Sequence, residues 1–137
     1  MAITRTETQV LWAAAVTKSV AAAGAETSDA FTFPVDQGGI SISIKADNAG
    51  TPAAGSTLDV YVLLTNGDPD ADADSADEYD STGHGRFLCQ IDTNTDDPAH
   101  ITVELSTAAQ GGKLYVENND ATNAVTVSAQ MSIMDLE

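Results

Sequence analysis

The densest run of chemically capable side chains is Asp68-Pro69-Asp70-Ala71-Asp72-Ala73-Asp74-Ser75-Ala76-Asp77-Glu78-Tyr79-Asp80, in which seven of thirteen residues are acidic. Asp68, Asp70, Asp72 and Asp74 alternate as the donors of a weak calcium site would, because Ca²⁺ collects carboxylate and carbonyl oxygens from a flexible chain. An EF-hand loop also needs a glycine at its middle and a bidentate Glu at its end. Counting from Asp70 puts Ser75 and Ser81 at those places, and counting from Asp68 puts Ala73 and Tyr79 there. The segment therefore reads as a solvated acidic loop, 66–84, with a weak cation site as the alternative.

Asp80, Ser81 and His84 are the residue types of a nucleophile–base–orienter triad. Working triads are assembled from separate rigid elements, whereas these three share one glycine-containing loop, so no catalytic residue is assigned. His100 has no His or Cys at metal-ligand spacing, and no phosphate-cradling or dinucleotide glycine pattern occurs. No cofactor is expected, and the chain is expected to be non-enzymatic. Cys89 is the sole cysteine, which excludes an internal disulfide. In Arg86-Phe87-Leu88-Cys89-Gln90-Ile91-Asp92 it is predicted to share a buried strand face with Phe87 and Ile91.

The aromatic residues point to binding instead. Trp12 and Tyr61 would make a sugar-stacking platform if exposed together, although a lone Trp in an apolar run more often serves a core or an interface. Tyr61 and Leu63 fall on the strand face opposite Val60 and Val62, where a second apolar face favours self-association or a partner.

These residues must be positioned by strands. Period-two alternation recurs in Ile40-Ser41-Ile42-Ser43-Ile44-Lys45, in Leu58-Asp59-Val60-Tyr61-Val62-Leu63-Leu64 and in Ile101-Thr102-Val103-Glu104-Leu105. It returns in Leu114-Tyr115-Val116-Glu117 and across Val125 to Ile133. Turn residues separate the runs at Gln37-Gly38-Gly39, Asn48 to Pro52, Asn66 to Pro69, Gln110 to Gly112 and Asn118 to Asp120. The expected fold is all-β, an antiparallel β-sandwich or jelly roll of about eight strands. Gln9 to Ala23 is alanine-rich and open to either helix or strand, with strand preferred. Residues 1–8 lack a core-forming pattern and read as an extended, mobile arm before a single domain at 9–137.

With 21 acidic residues against five basic ones the formal charge is −16. Nucleic acid and anionic membranes are excluded as partners on that balance, since both require clustered Lys and Arg. Aromatics supply only 5% of residues, so Val, Ile, Leu and Ala must fill the core.

The strand layout resembles the small β-sandwich virion proteins of tailed bacteriophages, of the head-decoration (cement) type and their tail-associated relatives. The resemblance is carried by Val10-Leu11-Trp12-Ala13-Ala14, by Gly50-Thr51-Pro52 leading into Ser56-Thr57-Leu58-Asp59-Val60-Tyr61-Val62, by Gly112-Lys113-Leu114-Tyr115-Val116, and by Val125-Thr126-Val127-Ser128-Ala129. It implies a non-enzymatic structural protein on the outer surface of a phage head. It further implies a homo-oligomer, a trimer above all, bound to the major capsid protein or another virion protein. Contacts are expected at Arg5, Trp12, Tyr61 and Leu63. A carbohydrate- or calcium-dependent binding module is the alternative.

Overall fold

A computed structural model describes residues 2–67 and 78–136. Among the described residues, ten strands form two five-stranded sheets. They are β1 (Ile3–Val10), β2 (Lys18–Val20), β3 (Ala25–Thr27), β4 (Phe31–Thr32), β5 (Gln37–Asn48), β6 (Thr57–Thr65), β7 (Arg86–Asp92), β8 (Ala99–Leu105), β9 (Gly111–Asn118) and β10 (Val125–Leu136). The first sheet runs β1-β10-β5-β8 with β2 also on β10; the second runs β3-β9-β6-β7 with β4 also on β9. Every pairing is antiparallel; those of β1 and β2 with β10, β3 and β4 with β9, β5 with β8 and β6 with β7 are nested, and β5–β10 and β6–β9 join them into the two sheets. Counting β1 with β2 and β3 with β4 as two interrupted strands leaves eight positions. That nesting is the wrap of a jelly roll.

Alternation puts the core where the sequence requires it. Ile40, Ile42 and Ile44 of β5 and Val125, Val127 and Met131 of β10 are buried against Leu58, Val60 and Val62 of β6 and Leu114 and Val116 of β9. Burying each such side chain stabilises the fold by about 1.5–3 kcal/mol relative to leaving it in water. Among the described residues no helix is long and apolar enough to cross a membrane.

Two segments differ from expectation. Residues 3–10 are not a free arm but strand β1, paired residue by residue with β10 from Ile3↔Leu136 to Val10↔Ala129. Thr4, Thr6 and Thr8 alternate with Arg5, Glu7 and Gln9, and both sets stay exposed. The strand is thus held by its ladder rather than by an apolar face. The alanine-rich stretch from Gln9 to Ala23 is strand, as preferred, at Gln9–Val10 and Lys18–Val20, but between them it makes a hairpin-like turn. Trp12 N donates to Ala15 O at 2.7 Å and Ala15 N to Trp12 O at 2.9 Å. Ala13 and Ala14 between them have φ of 48° and 66°, the sign pattern of a type I′ turn. L-residues resist that conformation, so a helix is blocked here and strain is held locally. Asp29 offsets it: its two carboxylate oxygens accept from Ala13 N and Ala14 N, both at 2.9 Å. The turn drives Trp12 into the core, where it is 1% exposed.

One end of the sandwich is closed by a polar knot. Asp120, 1% exposed, follows β9. Its Oδ1 accepts from Thr122 N at 2.8 Å and Asn123 N at 2.9 Å. Its Oδ2 accepts from Asn48 Nδ2 at 3.0 Å and lies 3.1 Å from Ser56 Oγ. Asn118 Nδ2 reaches Val20 O, Ala21 O and Asn123 O at 3.2, 3.1 and 2.9 Å. Ala23 N donates to Asp120 O at 2.8 Å. Three crossovers between the sheets, β2–β3, β5–β6 and β9–β10, therefore meet on two side chains. The Asn123 and Thr122 N–H groups, with Asn48 behind them, hold the Asp120 carboxyl far below the usual carboxylate range.

Two predictions follow from these contacts. Ala14→Gly removes the left-handed strain and should raise stability by about 0.5 kcal/mol, the strain relief being partly offset by a freer unfolded chain. Asp29→Ala should cost about 1 kcal/mol, because exposed N–H donors can turn to water. Chemical denaturation measures both, and equal midpoints for all three proteins would contradict the turn account. Asp120→Asn should lower the thermal midpoint by roughly ten degrees or more at neutral pH, since an amide offers one acceptor oxygen to donors arranged around two. A depressed carboxylate contributes stability that is present above its unfolded pKa, near 3.9, and is lost as pH falls toward the folded value. The gap between wild type and Asp120→Asn should therefore narrow below about pH 4; a gap that stays constant with pH would contradict this.

Candidate functional site

The outer face of the β3-β9-β6-β7 sheet carries the chain's accessible aromatic surface. Register places Tyr61 of β6 opposite Tyr115 of β9 and Phe87 of β7, with Thr27 of β3 beyond Tyr115. The Tyr61 and Phe87 ring centroids lie 5.6 Å apart at 72°, and Tyr61 and Tyr115 lie 6.0 Å apart at 47°. Phe87 is 55% exposed and both tyrosines are half-buried.

Phe87 belongs to this row because of a bulge. Val60 pairs with Cys89 but Tyr61 pairs with Phe87, so Leu88 and its neighbour share one position opposite β6. A bulge shifts alternation by one residue. Phe87 consequently faces out, while Cys89 and Ile91 stay in the core, which corrects the expectation that all three share the buried face. Burial pushes the Cys89 thiol up to about 11, with the charge of Asp59 adding to it; the thiol stays protonated and unreactive at neutral pH.

A polar line runs beside the aromatic one. Asp59 Oδ1 accepts from Gln90 Nε2 at 2.8 Å and its Oδ2 from Asn119 Nδ2 at 2.9 Å. Glu117 pairs across from Asp59 on β9. Burial, then the charge of Glu117, raises the phenols of both Tyr61 and Tyr115 above their ordinary value. Both are neutral donors at physiological pH. The surface combines apolar area, phenol hydroxyls and carboxylates, a composition suited to holding a partner.

The other residues singled out from the sequence are dispersed. Leu63 is on the same face but only 4% exposed. The last residues of the acidic loop and Gly85 cover it, and a methyl group on Gly85 would lie 2.9 Å from Leu63 Cδ2. Asp80 N donates to Leu64 O at 2.9 Å and Leu64 N to Asp80 Oδ2 at 3.1 Å, which anchors that segment on β6. Trp12 is inside the core and offers no surface. Arg5 stands on β1, on the other sheet. Ser81 Oγ lies 2.7 Å from His84 Nδ1 across a single 3-10 turn at Thr82–His84. Asp80 directs its carboxylate to Leu64 N rather than to His84, so the three do not form a triad. Asp68, Asp70, Asp72 and Asp74 lie outside the described residues. Lys113 Nζ sits 4.3 Å from the Tyr79 ring centroid, a cation–π contact at the border of the row.

Phe87 and Tyr115 were not singled out as site residues in the sequence. The bulge concealed Phe87. Tyr115 was legible as the outward partner of Leu114 and Val116, had strand pairing been known.

The outer face of the β1-β10-β5-β8 sheet is different in kind. It has a shallow groove of about 760 Å³ along Arg5, Glu7, Ser41, Glu104, Ser132 and Met134. A second of about 470 Å³ runs along Gln9, Ser43, Lys45, His100, Thr102 and Gln130.

No protein-family model matches the chain, and no curated protein is similar to it in sequence. Several solved structures are similar in fold. The CBM22-1 xylan-binding domain of Paenibacillus barcinonensis Xyn10C is 13% identical, over 96% of this chain and 87% of that one, at a TM-score of 0.40. A chain from the acid-stable capsid of Helicobacter pylori bacteriophage KHP30 is 16% identical over 96% and 93%, at 0.36. The crystal structure of FLHE is 12% identical over 99% and 96%, at 0.36.

Exposed and covered outer-face residues should respond differently to truncation. Leu63→Ala should cost about 2–4 kcal/mol by leaving a cavity under Gly85. Phe87→Ala should cost about 1 kcal/mol, the value of an edge-to-face pair on a half-exposed ring. Urea unfolding checks the order; equal losses would mean that Phe87 is buried or that Leu63 is not.

Proposed function

We propose that the chain is a non-enzymatic structural protein that attaches to a larger protein assembly, as a capsid decoration protein on the outer surface of a tailed-phage head. The observation that carries this reading is the row Phe87-Tyr61-Tyr115 on the outer face of a rigid jelly roll. Aromatic residues of this kind anchor protein interfaces, being large and poor in rotamers. Asp59 and Glu117 flank the row, and the formal charge of −16 keeps the free chain soluble. The strand layout that resembles phage cement proteins supports the same assignment. The partner on this reading is a major capsid protein or another virion protein, and repeated copies on a symmetric lattice would gain by avidity.

A second reading, a carbohydrate-binding module, is favoured by one observation: Asp59, Gln90, Glu117 and Asn119 beside the aromatics supply the polar groups that sugar hydroxyls need. Against it stand the ring angles of 72° and 47°, since sugar stacking calls for an accessible flat ring face.

The test is co-sedimentation of the purified chain with shells assembled from the major capsid protein of the same genome. The chain should pellet with the shells, and Phe87→Ala combined with Tyr61→Ala should abolish pelleting while leaving the circular dichroism unchanged. Failure to pellet with any shell protein of that genome would overturn the proposal. Pelleting with insoluble xylan or cellulose, lost in the same double variant, would establish the binding-module reading in its place.

A further inference from the structure

Strand β1 ends its sheet, and its second edge has no backbone partner among the described residues. Seven of its eight residues are exposed. Open edges are normally blunted by proline, bulges, short length or lysine. Here the strand makes eight consecutive unshifted pairs to β10, and its sequence, Ile3-Thr4-Arg5-Thr6-Glu7-Thr8-Gln9-Val10, contains no proline, lysine or glycine. It is a flat template with a full row of unused donors and acceptors.

We infer that β1 is a two-fold docking edge for a second copy of this chain, pairing antiparallel with itself in a register centred on Thr6. The register follows from charge. In antiparallel self-pairing across a two-fold axis, outward-pointing backbone groups must meet outward-pointing ones, so the axis passes through a residue rather than between two. Centring on Arg5 sets the two Arg5 side chains against each other, and centring on Glu7 does the same to the two Glu7 side chains. Like charges directly opposite one another are destabilising, and opposite charges are favourable. Centring on Thr6 places Arg5 opposite Glu7 of the second copy twice, by symmetry, with Thr4 opposite Thr8 and Thr6 opposite itself.

Arg5 is available for this pairing. Among the described residues Lys18 pairs with Glu26, at 3.8 Å, and Arg5 forms no ion pair and no hydrogen bond to another described side chain. Glu7 keeps one weak contact, accepting from Gln130 Nε2 at 3.2 Å, which leaves its other oxygen free. The pairing would fuse the two β1-β10-β5-β8 sheets into one continuous sheet and align the grooves that Arg5 and Glu7 line. This deepens the homo-oligomer part of the reading above, replacing the expected trimer with a two-fold pair. It stands or falls on solution mass, which shell binding through the aromatic row on the other sheet does not affect.

The experiment is sedimentation equilibrium on the full chain from about 5 to 200 µM, the range suited to a contact at the small end of interface sizes. Salt is held near 0.15 M so that the net charge of each copy is screened beyond roughly 8 Å. The wild type should approach the dimer mass at the upper concentrations. Arg5→Glu and Glu7→Arg each put like charges opposite one another in the registers centred on residues 5, 6 and 7, and each should weaken dimerisation at least tenfold. The double variant Arg5→Glu/Glu7→Arg restores opposite pairs and should recover it. Circular dichroism confirms that all four proteins are folded, which the exposure of both positions leads us to expect. A wild type that stays monomeric throughout, forms trimers, or dimerises regardless of either swap would overturn the inference. Single-swap losses that the double variant does not rescue would overturn it as well.

Discussion

The fold depends on one buried carboxylate. A jelly roll must pass its chain repeatedly from one sheet to the other, and each crossover leaves backbone groups that neither ladder can satisfy. At one end three crossovers converge on Asp120 and Asn118. A buried charge is costly in itself and persists only where donors surround it. Asp120 has donors from the β9–β10 loop, from the end of β5 and from the start of β6, and so it joins the two sheets through its own need for hydrogen bonds. With that end closed, both outer faces are left free for contact. The aromatic row sits on strands whose inner residues are packed, and the β1 edge on the other sheet is fixed by its unbroken ladder to β10.

Much of this architecture was legible from alternation. The isoleucines at 40, 42 and 44 and the long run from Val125 to Ile133 could be nothing but strands with one buried face. The runs around Val60 and Val116 read as strands as well, and strand pairing shows that they adjoin in the facing sheet. What the sequence concealed has physical reasons. Strand β1 has threonines where a core-facing strand would have valines, because no strand of the second sheet covers Thr4, Thr6 and Thr8; its order comes from backbone pairing, which leaves no apolar period. The bulge at Leu88 reverses the alternation of β7 by one residue, and nothing in Phe87-Leu88-Cys89 marks where that happens. The turn at Ala13 and Ala14 lacks the Asn and Gly that such a turn prefers, because Asp29, remote in sequence, supplies the compensation.

The site was legible only in part. Tyr61 was identified as outward-facing from its parity with Val60 and Val62, and the structure places it at the centre of the row. Its neighbours come from β7 and β9, and only strand register brings them together. Asn118-Asn119-Asp120 read as a turn; Asn118 closes β9 and the other two begin the crossover to β10. Its second role, as the point where three crossovers meet, requires knowing that Asn48, Ser56 and Ala23 arrive at the same place. Polar residues in turns serve local geometry so often that a structural carboxylate among them carries no separate mark.

The ionisation of Asp120 in the folded chain is the claim on which the rest turns, and it can be observed directly. Carboxyl-carbon chemical shifts followed by NMR through an acid titration would resolve Asp120 from the exposed carboxylates. The structure predicts that its signal keeps the carboxylate position at pH values well below the ordinary carboxylate range, changing only when the protein unfolds. A signal that titrates with the others while the strands remain folded would contradict the account.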